Sequence, residues 1–342
     1  MLIAIKRGIM IKMKEHEKDA LKDYKFIDLF CGIGGFHLAV SSFGGKCVFA
    51  SDINQEACKV YKENFNITPE GDITQIPVET IPQHDIICAG FPCQPFSISG
   101  QKEGFKDSRG RGKLFFEVVK IAKYHKPKII LLENVRNFAN HDNGRTLIRV
   151  YKELKNIGYN VFSEVLCATD YGIPQARKRI YIVAFRSDLN IKDFSFPSTL
   201  PCYKKLKDIL LEDNKNELKG TYWISRSYVI NRDETVNASN KLIRIGQIYL
   251  GRQGERIYSI NGQSTTLSSC GGGLGGKTGM YLINNRVRKL YPRECARLMG
   301  FPDSFKLADT QEKNYQQFGN SIVVDVVQYI IRNIIKKLEG NK

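Results

Sequence analysis

The chain has no apolar run near the ~18 residues that a membrane span requires, so no membrane partner is expected. Residues 1–25 break their apolar positions with Lys and Arg every few places and hold no signal-peptide core. A cytoplasmic location is therefore expected. There is no C-x-x-C, and the nine cysteines are odd in number and scattered. That pattern speaks against both a disulfide framework and a zinc site. The five histidines are not paired at ligand spacing, so no metal is expected. Acid is in deficit: 35 Asp and Glu face 52 Lys and Arg, a net charge of +17. A surplus of this size points to a polyanion, nucleic acid before an anionic membrane surface.

What is present is a globular composition, 42% hydrophobic and 25% charged, which excludes disorder over most of the chain. Its 342 residues suffice for one large domain or two of ~150 residues. Residues 24–185 alternate between strand-like and helix-like segments. Strands are predicted at Tyr24–Leu29, Lys46–Ser51, His84–Gly90, Lys128–Leu132, Val161–Cys167 and Arg179–Phe185, with helices at 55–64, 114–124 and 145–156. Alternation with fully apolar strands predicts an α/β fold built on a doubly wound, mostly parallel, Rossmann-like sheet. Ser321–Leu338 carries a broad apolar helical face, so a C-terminal helix should pack back on this domain. The expected division is a domain of 1–190 plus 305–342 and a smaller Gly-rich domain of 191–304. Residues 241–289 hold eight Lys/Arg against one acid, Glu255, and Gly251–Gly279 holds nine of the 29 glycines. Glycine lets backbone approach a ligand, and arginine reads phosphates and base edges.

Ligands of an open parallel sheet bind at the carboxyl ends of its strands. Those ends carry Asp28, Asp52, Pro92-Cys93-Gln94 and Glu133-Asn134. The segment from Asp28 to Gly35 runs from strand into glycine turn, where Gly32 and Gly34 leave room for a cofactor. The dinucleotide fingerprint wants a third glycine at position 37, which is His37. A nucleoside cofactor without pyrophosphate therefore fits better, with Asp52 on its ribose. Cys93 sits in a Pro-Cys-Gln-Pro loop and does not read as core. A nucleophilic thiol needs cations nearby, and Gln175, Arg177 and Arg179, two apart, would share one strand face. Gly271–Thr278 spells G-x-x-x-x-G-K-T, but the phosphate loop needs a strand before it and a helix after it. Here polar residues precede it and an extended segment, Gly279–Ile283, follows, so the nucleotide-loop reading is rejected.

The ordered motifs DLFCGIGGF (28–36), GDIT (71–74), FPCQPFSISG (91–100), ENV (133–135), QARKR (175–179), RKLYPRECARLMGFP (288–302) and FGNSIV (318–323) span nearly the whole chain. In this order the chain resembles the DNA (cytosine-5) methyltransferases of bacterial type II restriction–modification systems. The resemblance implies a class I S-adenosylmethionine-dependent fold with a target-recognition domain. It implies Cys93 as the nucleophile, Glu133 on the cytosine ring, Arg177 on the base's carbonyl oxygen, and Arg179 and Gln175 as residues that order the site. For S-adenosylmethionine it implies Phe30, Gly32, Ile33, Gly34, Gly35, Asp52, Ile53, Asp72, Ile73, Pro92, Leu114, Asn320 and Ser321. For double-stranded DNA it implies Ser97, Ser99, Gln101, Arg252, Gln253, Arg256, Thr266, Ser268 and Gly273. Base flipping follows, because carbon 5 is buried in a stacked duplex. The likeness continues through GRQGERIYS (251–259) and TLSSCGGG (266–273), and implies GCGC as the site, a monomer, and a functional pairing with a restriction endonuclease. This chain departs from the pattern at Asp52, where Glu is usual, and at Ile53, where an aromatic ring is frequent. Alternatives are a tRNA cytosine-5 methyltransferase and a DNA-binding regulator without catalysis. The large basic Gly-rich region favours duplex DNA over tRNA, and the joint presence of Cys93, Glu133, Arg177 and Arg179 favours catalysis.

Overall fold

Continuous apolar sequence needs cover on both faces, and the inner strands of the first unit have it. The computed structural model of the chain describes residues 15–92, 114–200, 204–212, 222–231 and 241–340. They form two compact units. The first takes in the described parts of Lys12–Leu166, Lys178–Ser198 and Val326–Lys342, and the second those of Cys167–Arg177 and Thr199–Asp325.

In the first unit, β1 (Lys25–Leu29), β2 (Lys46–Ser51), β3 (Ile86–Ala89), β4 (Ile129–Val135), β5 (Tyr159–Cys167) and β6 (Lys178–Arg186) form a sheet ordered β2-β1-β3-β4-β6-β5. β1 runs parallel to β2 and β3, and β3 parallel to β4, while β6 is antiparallel to β4. Every residue of β3 is buried, as are the first six of β4. Helices α1 (Gly35–Ser41), α2 (Gln55–Phe65), α3 (Leu114–His125) and α4 (Arg145–Asn156) alternate with the strands. The expected α/β sheet is thus observed. Its core joins Ile27, Ile87, Ile130 and Ile182 to Phe91, Phe115 and Phe138.

The second unit holds β7 (Val229–Ile230), β8 (Arg244–Gln247), β9 (Arg256–Ser259), β10 (Met280–Ile283) and β11 (Arg286–Arg288), ordered β11-β10-β9-β8-β7, with helices α5 (Pro292–Leu298) and α6 (Gln311–Asn320). Ile243, Ile245, Ile248, Ile257, Met280, Leu282 and Val287 form its core. Lys277 pairs with Glu312, and the chain after it enters β10. A strand where a phosphate loop requires a helix bears out the rejection of that motif. Arg288 and Glu294, both fully buried, form a two-pronged ion pair at 2.7 and 2.8 Å. Glu294 also accepts the backbone N–H groups of Leu211 and Tyr291, so its oxygens are satisfied without water.

Helix α7 (Val324–Gly340) lies, from Val326 onward, in the first unit, as its apolar face predicts. Lys337 pairs there with Asp193, and Arg332 with Glu17. No described helix is long and apolar enough to cross a membrane. Six of the seven described cysteines are buried and none is bonded to another, which fits their reading as small apolar residues.

Asp325, in the first turn of α7, is fully buried, and burial pushes its carboxyl up to about 7 against the pull of Lys204. A carboxyl raised in the fold contributes stability that is full below its unfolded value, near 4, and is lost as pH rises through 7. Asp325→Asn should therefore raise the melting temperature by a few degrees at pH 8.5 and by less at pH 5.5. Scanning calorimetry at the two pH values checks the difference, and a gain equal at both would contradict it.

Candidate active site

The turn after β1 is built for close approach. Phe30, Gly32 and Gly34 all have positive φ, at 54°, 53° and 84°. At Gly34 an added Cβ would lie 2.2 Å from the Phe65 ring, whereas at Gly32 it would meet nothing within 4 Å. Gly34 thus serves packing beneath the turn, and Gly32 leaves open space above it. Ile33 and Gly35 are buried beside them.

Asp52, at the end of β2, fixes this turn. Its carboxylate accepts the Gly32 N–H at 2.8 Å and the Asn54 N–H at 2.8 Å. Burial raises its carboxyl, and these two N–H groups oppose the rise. Asn54 then caps α2 through the N–H groups of Glu56 and Ala57. Ile53 points to solvent, 72% exposed. A backbone bridge between Ser51 and Glu70 brings Asp72 alongside this end of β2. Asp72 is exposed and caps a short 3-10 turn by accepting Thr74 N–H, with Ile73 buried behind it.

One sequence reading changes here, and His37 takes a packing place. Asp28 is not at the rim: it is buried within β1, opposite Ala50 and Cys88, and burial pushes its carboxyl well above the usual range. His37, where a dinucleotide site has glycine, stacks on Phe65 with ring centroids 3.9 Å apart and bonds the Tyr61 hydroxyl at 2.7 Å. Burial lowers its imidazole to about 4, so it is a neutral packing residue.

At the neighbouring strand ends, Glu133 of β4 and Arg179 of β6 form an ion pair at 2.9 Å, with 10% and 16% of their side chains exposed. The antiparallel register sets Glu133 opposite Tyr181 and Val135 opposite Arg179. Oε2 of Glu133 lies 3.9 Å from where a Cβ on Gly90 would stand, so the carboxylate overlies the end of β3. Asn134 is buried and donates to the Phe91 carbonyl at 3.1 Å, which fixes the chain where it leaves that strand. Pro92 follows, half-buried, and Leu114 opens α3. Cys93, Ser97, Ser99 and Gln101 lie outside the described residues.

In the second unit, Gln175 and Arg177 behave differently from Arg179. Arg177 is 2% exposed and donates to the carbonyls of Leu267, Gly319 and Ser321 at 3.0, 3.0 and 2.5 Å. Gln175 is fully buried, donates to the Leu298 carbonyl and accepts the Leu267 N–H. Both hold backbone. A guanidinium engaged by three carbonyls is not presented to a base, so the carbonyl-contact role expected of Arg177 does not match its surroundings. Asn320 ends α6 exposed, and Ser321 caps that helix.

Arg252 and Gln253 are exposed on the turn before β9, while Arg256 donates to the Gly251 carbonyl at 3.2 Å. Thr266 bonds the Ala176 carbonyl, Ser268 closes on the Cys270 carbonyl at 2.8 Å, and Gly273 is exposed with φ 78°. These two segments meet in one place: a Cβ on Gly254 would stand 2.2 Å from the Gly272 carbonyl oxygen. The Arg288–Glu294 pair was not foreseen as a pair, although both residues stand in the 288–302 motif.

The sequence matches the family of C-5 cytosine-specific DNA methylases over residues 24–336. It is 49% identical over 325 residues to the type II methyltransferase M.HhaI of Haemophilus parahaemolyticus, covering 95% of this chain and 97% of that protein. It is 38% identical to M.HpaII of Haemophilus parainfluenzae, covering 96% and 93%. Among solved structures, the S. pombe Dnmt2 methyltransferase aligns with a TM-score of 0.67 at 23% identity, covering 93% of this chain and 99% of that one, a likeness of fold.

The turn geometry separates two glycines. Gly34→Ala should lower the melting temperature by several degrees, because a positive φ and the Phe65 clash add. Gly32→Ala should cost only the ~1 kcal/mol of a left-handed backbone yet cut S-adenosylmethionine affinity at least tenfold by filling the open space. Calorimetric titration alongside melting checks both, and unchanged affinity in Gly32→Ala would move the cofactor elsewhere.

Proposed function

The chain belongs to the C-5 cytosine-specific DNA methylase family, and we propose that it methylates carbon 5 of a specific cytosine in double-stranded DNA, protecting that DNA from a partner restriction endonuclease. As a DNA cytosine-5 methyltransferase of the type II restriction–modification kind it uses S-adenosylmethionine, which when bound would supply an electrophilic methyl group, with S-adenosylhomocysteine as the leaving group. The open face of Gly32 and the Asp52 carboxylate beside it fit a nucleoside on that turn. In this reading Phe30–Gly35 form the floor, Asp52 takes the ribose, Ile53 and Asp72-Ile73 flank the adenine, and Pro92, Leu114, Asn320 and Ser321 are further cofactor contacts.

The observation that carries the chemistry is the Glu133–Arg179 pair beside Gly90, just past the end of β3 and three residues before Cys93 in sequence. Carbon 5 of cytosine is a weak nucleophile. The Cys93 thiolate adds to carbon 6, which makes carbon 5 an enamine carbon able to take the methyl group. Glu133 hydrogen-bonds the ring edge and steadies the proton at ring nitrogen 3 as charge develops. Arg179, aligned by Glu133, contacts the base's carbonyl oxygen, while Arg177 and Gln175 act as positioning residues. Loss of the carbon-5 proton then expels the thiolate and restores the ring.

The base must leave the stack to be reached. Ser97, Ser99 and Gln101 are DNA contacts in this reading, Ser99 and Gln253 taking the vacated space, and Arg256 with Arg252, Thr266, Ser268 and Gly273 reads the flanking sequence. Residues 191–304 form the target-recognition part, and 1–190 with 305–342 the catalytic part. The likeness through 251–259 and 266–273 supports GCGC as the site, read by a monomer.

Bisulfite sequencing of DNA from cells expressing the wild type should show 5-methylcytosine at one short sequence, and Cys93→Ser should show none. Arg179→Ala should lower kcat by ~10²–10⁴-fold with S-adenosylmethionine affinity unchanged. Unmethylated cytosine throughout with the wild type, or methyl transfer to tRNA and not to plasmid, would refute the reading.

A further inference from the structure

Between β8 and β9 the second unit makes a tight turn, Ile248–Gly251, closed by the Gly251 N–H on the Ile248 carbonyl at 3.1 Å. Tyr249 has φ 47°, a left-handed conformation that large side chains adopt at a cost of ~1–2 kcal/mol. Nothing in burial offsets it: Tyr249 is 59% exposed and Leu250 77% exposed. Two large apolar side chains are thus held outward on a strained turn, while Ile248 before them is fully buried.

The turn is fixed in place by cations. Arg226 bonds the Tyr249 hydroxyl and lies 5.6 Å from its ring centroid. Gln247 donates to the Tyr249 carbonyl at 3.2 Å, and Arg244 donates to Gln247. Arg256 donates to Gly251, and Arg252 is exposed next in sequence. The one acid on this stretch, Glu255, is spent capping the Arg252 N–H at 2.9 Å. An apolar tip with one guanidinium on its tyrosine and three more arginines on the flanking residues matches a ligand that joins anionic phosphates to flat apolar faces, which is a nucleic acid with accessible base or sugar edges.

We propose that Tyr249 and Leu250 form an apolar wedge that contacts the DNA duplex beside the bases read by the Gln253–Arg256 segment, and so set part of the sequence preference. The proposal rests on the DNA-methylating function argued above and adds residues to its recognition surface. The Arg226 and Gln247 bonds to Tyr249 hold the tip outward before binding, so less ordering remains to be done on the DNA.

The test uses the full-length protein with fluorescein-labelled duplexes, one carrying the methylated sequence and one lacking it, across a salt series. Leu250→Ala and Tyr249→Gly should each weaken binding to the target duplex about tenfold and narrow its margin over the other duplex. In Leu250→Ala the slope of log affinity against log salt should stay at the wild-type value, because no cation or partner of a cation is removed. Tyr249→Gly should also keep or raise the melting temperature, since glycine relieves the turn. Arg226→Ala should by contrast shallow the salt slope. Binding and discrimination within twofold of wild type in both tip variants would overturn the wedge. A wild-type protein with no duplex affinity would overturn the DNA function itself, and the two failures are distinct.

Discussion

One buried guanidinium organises much of the second unit. Arg177 gathers the carbonyls of Leu267, Gly319 and Ser321 onto a single planar group. These carbonyls come from two segments some 50 residues apart in sequence, and those of Leu267 and Gly319 would otherwise be buried acceptors without water, costing ~1–3 kcal/mol each. The planar fork matters, since an ammonium could not hold several fixed directions at once. The same approach requires glycine: a Cβ on Gly319 would stand 2.1 Å from the Ser269 nitrogen. An arginine supplies the attraction, and a missing side chain supplies the room.

Glycines elsewhere in this region follow that logic. Gly254 abuts Gly272, Gly271 abuts Gly276, and Gly275 sits against Met280. The sequence reading assigned these glycines to close approach of a ligand. The structure assigns many of them to one another, as loops packed backbone on backbone. Such packing leaves little to adjust, so the side chains that project from these loops, Arg252, Gln253 and Leu250 among them, start from a rigid base.

The period-two rule explains one misreading. It placed Gln175, Arg177 and Arg179 on one face of a strand. The strand begins only at Lys178. Before it the chain bends, with the Gln175 N–H on the Ile173 carbonyl and the Arg177 N–H on the Gln175 carbonyl. Bonds spanning two residues are turns, so alternation does not extend through them. The consequence is chemical: Arg179, not Arg177, is the arginine beside Glu133.

Local pattern was enough for much of this protein. The apolar strands, the amphipathic C-terminal helix, the glycine turn at Gly32–Gly34 and the carboxylates at strand ends depend on neighbours within a few residues, and the sequence shows them directly. The charge of 241–289 is legible for the same reason. Asp28, Arg177, the Arg288–Glu294 pair and the outward Tyr249–Leu250 tip were not, because burial and partners decide them. Glu133 meets Arg179 across a sheet register, and Gln175 meets Leu298 across 123 residues. Sequence determined which chemical groups the chain carries and which elements hold them. Only the tertiary structure decided which of those groups are consumed by the fold and which are left to act, because desolvation and hydrogen bonding are settled by atoms distant in sequence.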